Sequence, residues 1–353
     1  MIDIILKKAV EVKASDIHIT VGLEPILRLH GKLTKLGNTP FTQEDVISFV
    51  NHILKEEDKK TLETQGEVDL SYSISNVSRF RLNVFKQKGN YAMAFRVISN
   101  KIPSMDELGL PVDIIRTLSR KQRGLILITG PTGSGKSTTL AAMVDYMNTN
   151  LGRHIITIED PIEYVHNHKS SIITQREIGS DTKSFANALR ASLREDPDTI
   201  LVGEMRDPET ISTALTAAET GHLVLSTLHT VGAAKTMDRI VDSFPTEQQQ
   251  QIKTQMATVI EGVISQQLLP KADGTGKVAA LEIMTGTSAV RNLIREGKNY
   301  QLPAILQTSV KDGMQTMDNE LLKYYKKGVI DTQSLQRYAV DFDYIKTQLG
   351  NNI

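Results

Sequence analysis

Apolar residues recur at helical spacing from the start of the chain. Ile2, Ile5, Leu6, Ala9 and Val10 predict a short amphipathic helix. Asp16 to Thr20 and Pro25 to Leu36 read as strands, with Gly31 in a turn and His18 and His30 as ordinary strand histidines. Thr42 with Asp45 is a capping-box signal for a helix running to about Leu62. Val68, Leu70, Tyr72 and Ile74 then alternate as in a half-buried strand.

Two more alternating strands follow. The first buries Phe80, Leu82 and Val84, and the second Tyr91, Met93, Phe95 and Val97. Arg81 and Arg96 fall on the opposite face of each. With Gln87-Lys88-Gly89-Asn90 as the hairpin loop, 81 pairs directly with 96. Like charges facing each other across a ladder repel. Either both are solvated on an exposed sheet face, or an anion lies between them.

Lys101-Ile102-Pro103-Ser104 breaks the pattern as a linker would. Ser104 with Glu107 suits a single capped turn, and Pro111 suits the first turn of a helix through Leu118. Buried strands near Leu125–Thr129, His154–Ile158, Thr199–Val202 and His222–Leu228 then alternate with helices, which predicts a parallel α/β sheet.

The chemistry concentrates after the first of these strands. Gly130-Pro131-Thr132-Gly133-Ser134-Gly135-Lys136-Ser137 matches G-x-x-x-x-G-K-[ST], between a strand and a helix spanning Ser137 to Met147. Its glycines let backbone N–H groups face an anion at the helix N-terminus. Lys136 places a cation at the β- and γ-phosphates, and the Ser137 hydroxyl suits Mg²⁺. The loop marks a nucleotide triphosphatase. Glu159, Asp160 and Glu163 follow the second strand, where ligands of open α/β sheets bind. A carboxylate there activates water, whereas a charged turn is the bland alternative. Glu204 follows the third strand and suits the metal. His222 and His229 bracket the fourth; about 23 Å of extended chain separates them, too far to share one metal. His229 lies at the end that could sense a γ-phosphate.

Composition narrows the classes. The chain has 353 residues, room for about two domains. Lys+Arg and Asp+Glu are both 41, which argues against binding nucleic acid through bulk charge. There is no cysteine, so disulfides and Cys-ligated zinc are excluded, and a cytosolic setting fits. The N-terminus turns charged too early for a signal peptide. No apolar run approaches a membrane span, so no direct membrane insertion is expected.

GPTGSGKSTT (130–139), TIEDPIEYVH (157–166), LREDPDTILVGEMRDPET (193–210) and GHLVLSTLHT (221–230) together resemble the type II/type IV secretion ATPase superfamily. The resemblance spans essentially the whole chain. Within the superfamily it is nearest the retraction ATPases of type IV pili, because the chain is short and cysteine-free. It also carries Ala289-Val290-Arg291-Asn292-Leu293-Ile294-Arg295-Glu296, close to the AIRNLIRE segment of that type, with Val290 in place of Ile. Read alone, that segment is an amphipathic helix with Ala289, Val290, Leu293 and Ile294 inward and Arg291, Arg295 and Glu296 outward.

The resemblance implies an α/β fold: a small PAS-like α+β domain (1–100), a linker (101–111) and a RecA-like P-loop ATPase domain (112–353) with a C-terminal helical region. It implies ATP and Mg²⁺, with residues 130–138, Thr138 included, around the nucleotide and Ser137 and Glu204 at the metal. The implied catalytic set is Lys136, Glu163 as general base, Glu204, His229, and Arg81 with Arg96 reaching across a subunit interface. It further implies a homohexameric ring on the cytoplasmic face of the inner membrane, turning a pilus platform protein to draw pilin from the fibre in twitching motility. An assembly or secretion ATPase of the same superfamily, and a nucleotide-gated scaffold with little turnover, are the alternatives.

Overall fold

The computed structural model describes residues 1–75, 77–98 and 101–350. The domain limits expected at 100 and 353 lie outside the described residues. The chain divides into two compact units. One is Met1–Lys101 with Pro161–Val165; the other is Ile102–Asp160 with the chain from His166 onward.

The first unit runs α1 (Ile2–Glu11), β1 (Asp16–Thr20), β2 (Ile26–Leu29), β3 (Lys32–Lys35), α2 (Gln43–Ile53), α3 (Glu56–Gln65), β4 (Glu67–Ile74), β5 (Ser78–Gln87) and β6 (Asn90–Ile98). Its strands form one antiparallel sheet in the order β3-β2-β1-β6-β5-β4. The inward-facing Ile17, Phe80, Leu82, Val84 and Phe95 bury against apolar residues of the helices, such as Leu6, Phe49 and Leu62. Thr42 and Asp45 form the expected capping box.

The helix expected to reach Leu62 is two helices. Leu54 (ψ 135°) and Lys55 are extended, and the Asp58 carboxylate accepts the Lys55 N–H to start the second. A carboxylate at the third helical position restarts a helix as well as it continues one. His30 is not in a strand. With φ 49° it precedes Gly31 (φ 82°) in a two-residue turn of the kind that matches strand twist. Lys88 and Gly89 do the same between β5 and β6, so Gln87 and Asn90 are the last pair of the ladder.

The second unit opens with the Ser104–Glu107 turn, closed reciprocally by both side chains. It continues with α4 (Val112–Ser119), β7 (Gly124–Thr129), α5 (Lys136–Asn150), β8 (His154–Glu159), β9 (Ile172–Glu177), α6 (Phe185–Ser192), β10 (Thr199–Val202), α7 (Pro208–Glu219), β11 (Leu223–Leu228), α8 (Ala233–Val241), α9 (Thr246–Val259), β12 (Ile260–Pro270), β13 (Lys277–Thr285) and α10 (Ser288–Glu296). Among the described residues, four more α-helices close it: α11 (Leu302–Thr308), α12 (Met317–Lys326), α13 (Thr332–Tyr338) and α14 (Phe342–Leu349). The sheet order is β13-β12-β7-β11-β10-β8-β9, parallel except for β13.

Strands buried on both faces read as continuous apolar runs. In β7, Leu125 and Leu127 pack toward residues of α6–α9, and Ile126 and Ile128 toward residues of α4 and α5. The parallel strands end along one edge of the sheet, where the phosphate loop, Glu204 and His229 all emerge.

α10 corrects one expectation. Val290 and Ile294 are buried, but Ala289 is exposed, and Arg291 is not a solvent-facing residue. Its guanidinium donates to the carbonyls of Gly286, Ala257 and Thr258 and pairs with Glu261 at 2.6 Å. It thereby satisfies carbonyls at the C-terminus of α9.

Candidate functional site

The phosphate loop occupies the turn between β7 and α5. Gly130 (φ 139°), Gly133 (φ 78°) and Gly135 (φ 88°) all sit where a side chain is strained. A Cβ at 130 would lie 2.1 Å from the Gln266 carbonyl oxygen, so this glycine is also required for space. Gly135 precedes α5 and offers no side chain to cap it, which leaves first-turn N–H groups facing the loop. The Ser134 hydroxyl, on a residue 2% exposed, and the Thr129 hydroxyl are buried without a hydrogen-bond partner among the described residues. Pro131, Thr132 and Ser137 are exposed, and Thr138 is half-buried. Uncapped N–H groups and an orphaned loop hydroxyl suit the phosphate oxygens of a nucleotide.

Lys136 is buried, and its ammonium donates to the carbonyls of Gly130 (2.9 Å) and Pro131 (3.0 Å). It also lies 3.5 Å from His229 Nδ1. His229 Nε2 lies 3.5 Å from Glu204 Oε2, and Arg206 Nε lies 2.6 Å from Glu204 Oε1. Lys136, His229, Glu204 and Arg206 therefore form one contiguous cluster. The ends of three strands build it, with Glu204 the most shielded of the two ion pairs. A carboxylate at Glu204 and a hydroxyl at Ser137 are oxygen donors of the kind that suits a magnesium ion.

His229 is steadied from behind. The loop after it is tied to β12 and β13, where the Gly232 N–H donates to Ser265 Oγ and the Ala233 N–H to Glu282 Oε1, each at 2.8 Å. Ser265 and Glu282 are cross-strand partners. Burial holds the Glu282 carboxyl above its usual range, against the two backbone N–H bonds it accepts. His222 points elsewhere: its Nδ1 lies 3.0 Å from the Ala217 carbonyl at the opposite end of the strand.

Glu159 and Glu163 separate. Glu159 Oε1 accepts from the Thr157 hydroxyl (2.6 Å) and the Gln175 amide (3.2 Å) in the second unit. Glu163 lies with the first unit and is exposed, lining a cavity of about 340 Å³ with Arg81, Arg96, Ile98 and Tyr164.

Arg81 and Arg96 are register partners, as the hairpin spacing predicts. The row extends across the sheet as Arg28, Asp16, Arg96, Arg81 and Ser71. Asp16 lies 2.9 Å from Arg96 and 3.7 Å from Arg28. Burial pushes its carboxyl up, but bonds from Ser15 and Arg96 hold it below the usual range on balance. Asp16 thus stands between Arg96 and Arg28, on the side of Arg96 away from Arg81, so the chain itself supplies an anion to Arg96 but none between Arg81 and Arg96. Arg81 is exposed and, among the described residues, has no comparable ion pair.

Sequence reasoning passed over Asp16, Arg206 and Gln266. A charge complementing Arg96 was to be expected, but 80 residues separate the two along the chain.

Residues 1–301 match the family described as Type II/IV secretion system protein. The type IV pilus retraction ATPase PilT of Pseudomonas aeruginosa is 48% identical over 92% of this chain and 94% of its own length. A twitching motility protein of Neisseria gonorrhoeae is 49% identical over 89% of this chain and 84% of its own. The crystal structure of the pilus retraction motor PilT with bound ADP superposes with a TM-score of 0.87 at 49% identity, covering 96% of each chain.

Proposed function

The chain belongs to the type II/IV secretion system protein family, and on that premise we propose that it is a motor that hydrolyses ATP to retract type IV pili. The observation that carries this reading is the single cluster of Lys136, Glu204 and His229 beside a glycine loop at a helix N-terminus. The names of its relatives supply the direction of the motor, since assembly and retraction share these catalytic parts.

We read the first unit as a PAS-like domain and the second as RecA-like, over residues 1–100 and 112–353 with a linker at 101–111. The loop from Gly130 to Thr138, through the N–H groups of its residues other than Pro131, and the Lys136 ammonium hold the β- and γ-phosphates of ATP. Ser137 and Glu204 would hold Mg²⁺, which would neutralise charge on those phosphates. Glu163 accepts the proton of the attacking water. His229 touches both the lysine and the metal carboxylate, so it is placed to report the γ-phosphate to both. Arg81 and Arg96 bring positive charge to the nucleotide of a neighbouring chain in a homohexameric ring. Arginines in that role are worth roughly 10³–10⁵ in rate, so turnover depends on assembly. No helix among the described residues is long and apolar enough to cross a membrane. By its likeness to the pilus retraction ATPases we place the ring on the cytoplasmic face of the inner membrane, held there by a pilus platform protein.

Lys136→Ala tests the reading. Steady-state ATP hydrolysis by the purified protein falls at least ~10²-fold, on the scale of losing one charged group that stabilises the transition state, while the melting temperature holds. Near-normal turnover would overturn it.

A further inference from the structure

We propose that Gln266 is a positioning residue that holds the phosphate loop in its nucleotide-binding shape. The inference rests on the loop being a nucleotide site. Gln266 lies on β12, one residue past the Ser265–Thr129 register pair, and so runs alongside the start of the loop. It is 3% exposed. Its amide nitrogen donates to the Ser134 carbonyl at 2.8 Å, and its amide oxygen accepts from the Thr139 hydroxyl at 2.8 Å. Its own backbone carbonyl closes the space beside Gly130, and its amide nitrogen the space beside Gly135. One residue therefore meets the loop at three places, its backbone at the beginning and its side chain in the middle and at the helical end.

The need for such a residue follows from the glycines. A loop with three residues at positive φ has many alternative conformations, and ordering it on ligand binding would cost affinity. A buried amide with both ends satisfied moves that cost to folding, before the nucleotide arrives. Both bonds end on atoms of the chain itself, so Gln266 acts through Ser134 and Thr139 and not on the ligand.

The test uses the full chain, a fluorescent ADP analogue with Mg²⁺, and the variants Gln266→Met, Gln266→Glu and Thr139→Val. Met keeps the bulk and loses both bonds. Glu keeps the acceptor for Thr139 and loses the donor to Ser134. The dissociation constant rises about tenfold in Gln266→Met and in Gln266→Glu, the effect of one buried hydrogen-bonding group. Adding Thr139→Val to Gln266→Met costs less than the two single effects combined. KM for ATP rises in step, with kcat changed far less. If Gln266→Met does not fold, Gln266→Glu and Thr139→Val carry the same comparison. ADP binding unchanged within twofold, with only the melting temperature lowered, would overturn the inference and leave a merely structural residue. Failure of the unaltered protein to bind the analogue would overturn the nucleotide-site reading instead.

Discussion

Arg81 and Arg96 face each other in the ladder, but their surroundings differ. Both are exposed and line the cavity with Glu163, but Arg96 is also engaged by Asp16. The acids of the 157–166 segment differ in the same way. Glu159 is committed to hydrogen bonds from Thr157 and Gln175. Glu163 has open surroundings, as a base that meets a water requires. Glu163→Gln therefore retains ADP binding and loses ATP turnover by roughly 10²–10⁴-fold, while Glu159→Gln keeps most of its turnover. A dead Glu159→Gln beside an active Glu163→Gln, in the same hydrolysis assay, would reassign the base.

At the scale of elements, the clearest local signals were the readable ones. Thr42 with Asp45 marked a helix start, and Ser104 with Glu107 marked an isolated turn, because both are spaced three apart and act on their own backbone. The phosphate loop was legible for the same reason. The partners that complete the site were not. Gln266 sits in a run, Ile264-Ser265-Gln266-Gln267-Leu268, whose polar pair looks solvated until the strand is placed beside β7. The β12–β13 hairpin went unread along with it.

Arg291 shows the same limit. Helical periodicity put it outward, but the carbonyls it satisfies belong to α9 and to the turn before α10. Arg291→Met leaves these carbonyls unpaired and Glu261 short of one cation. We expect a loss of about 2–3 kcal/mol, read as a lower urea midpoint, with ADP affinity of the folded protein unchanged. An unaltered midpoint would return Arg291 to the surface role its spacing suggested. The exposed Ala289, Asn292, Arg295 and Glu296 would then no longer be the segment's whole outer face.

For the whole molecule, a ring in which one chain's arginines serve another chain's nucleotide predicts complementation. Arg81→Ala and Lys136→Ala are each inactive alone. Mixed in one ring they regain part of the ATPase activity, because some interfaces join an intact loop to an intact arginine. Absence of any recovery, with mixed rings verified by mass, would confine the arginine to its own chain. The most direct measurement lies in the host. The gene is deleted, the strain is complemented with the natural or the Lys136→Ala protein, and surface pili are counted by electron microscopy. An ATP-driven retraction motor predicts excess pili and no twitching on deletion, reversed by the natural protein and not by Lys136→Ala. Loss of pili on deletion, or full rescue by Lys136→Ala, would contradict it.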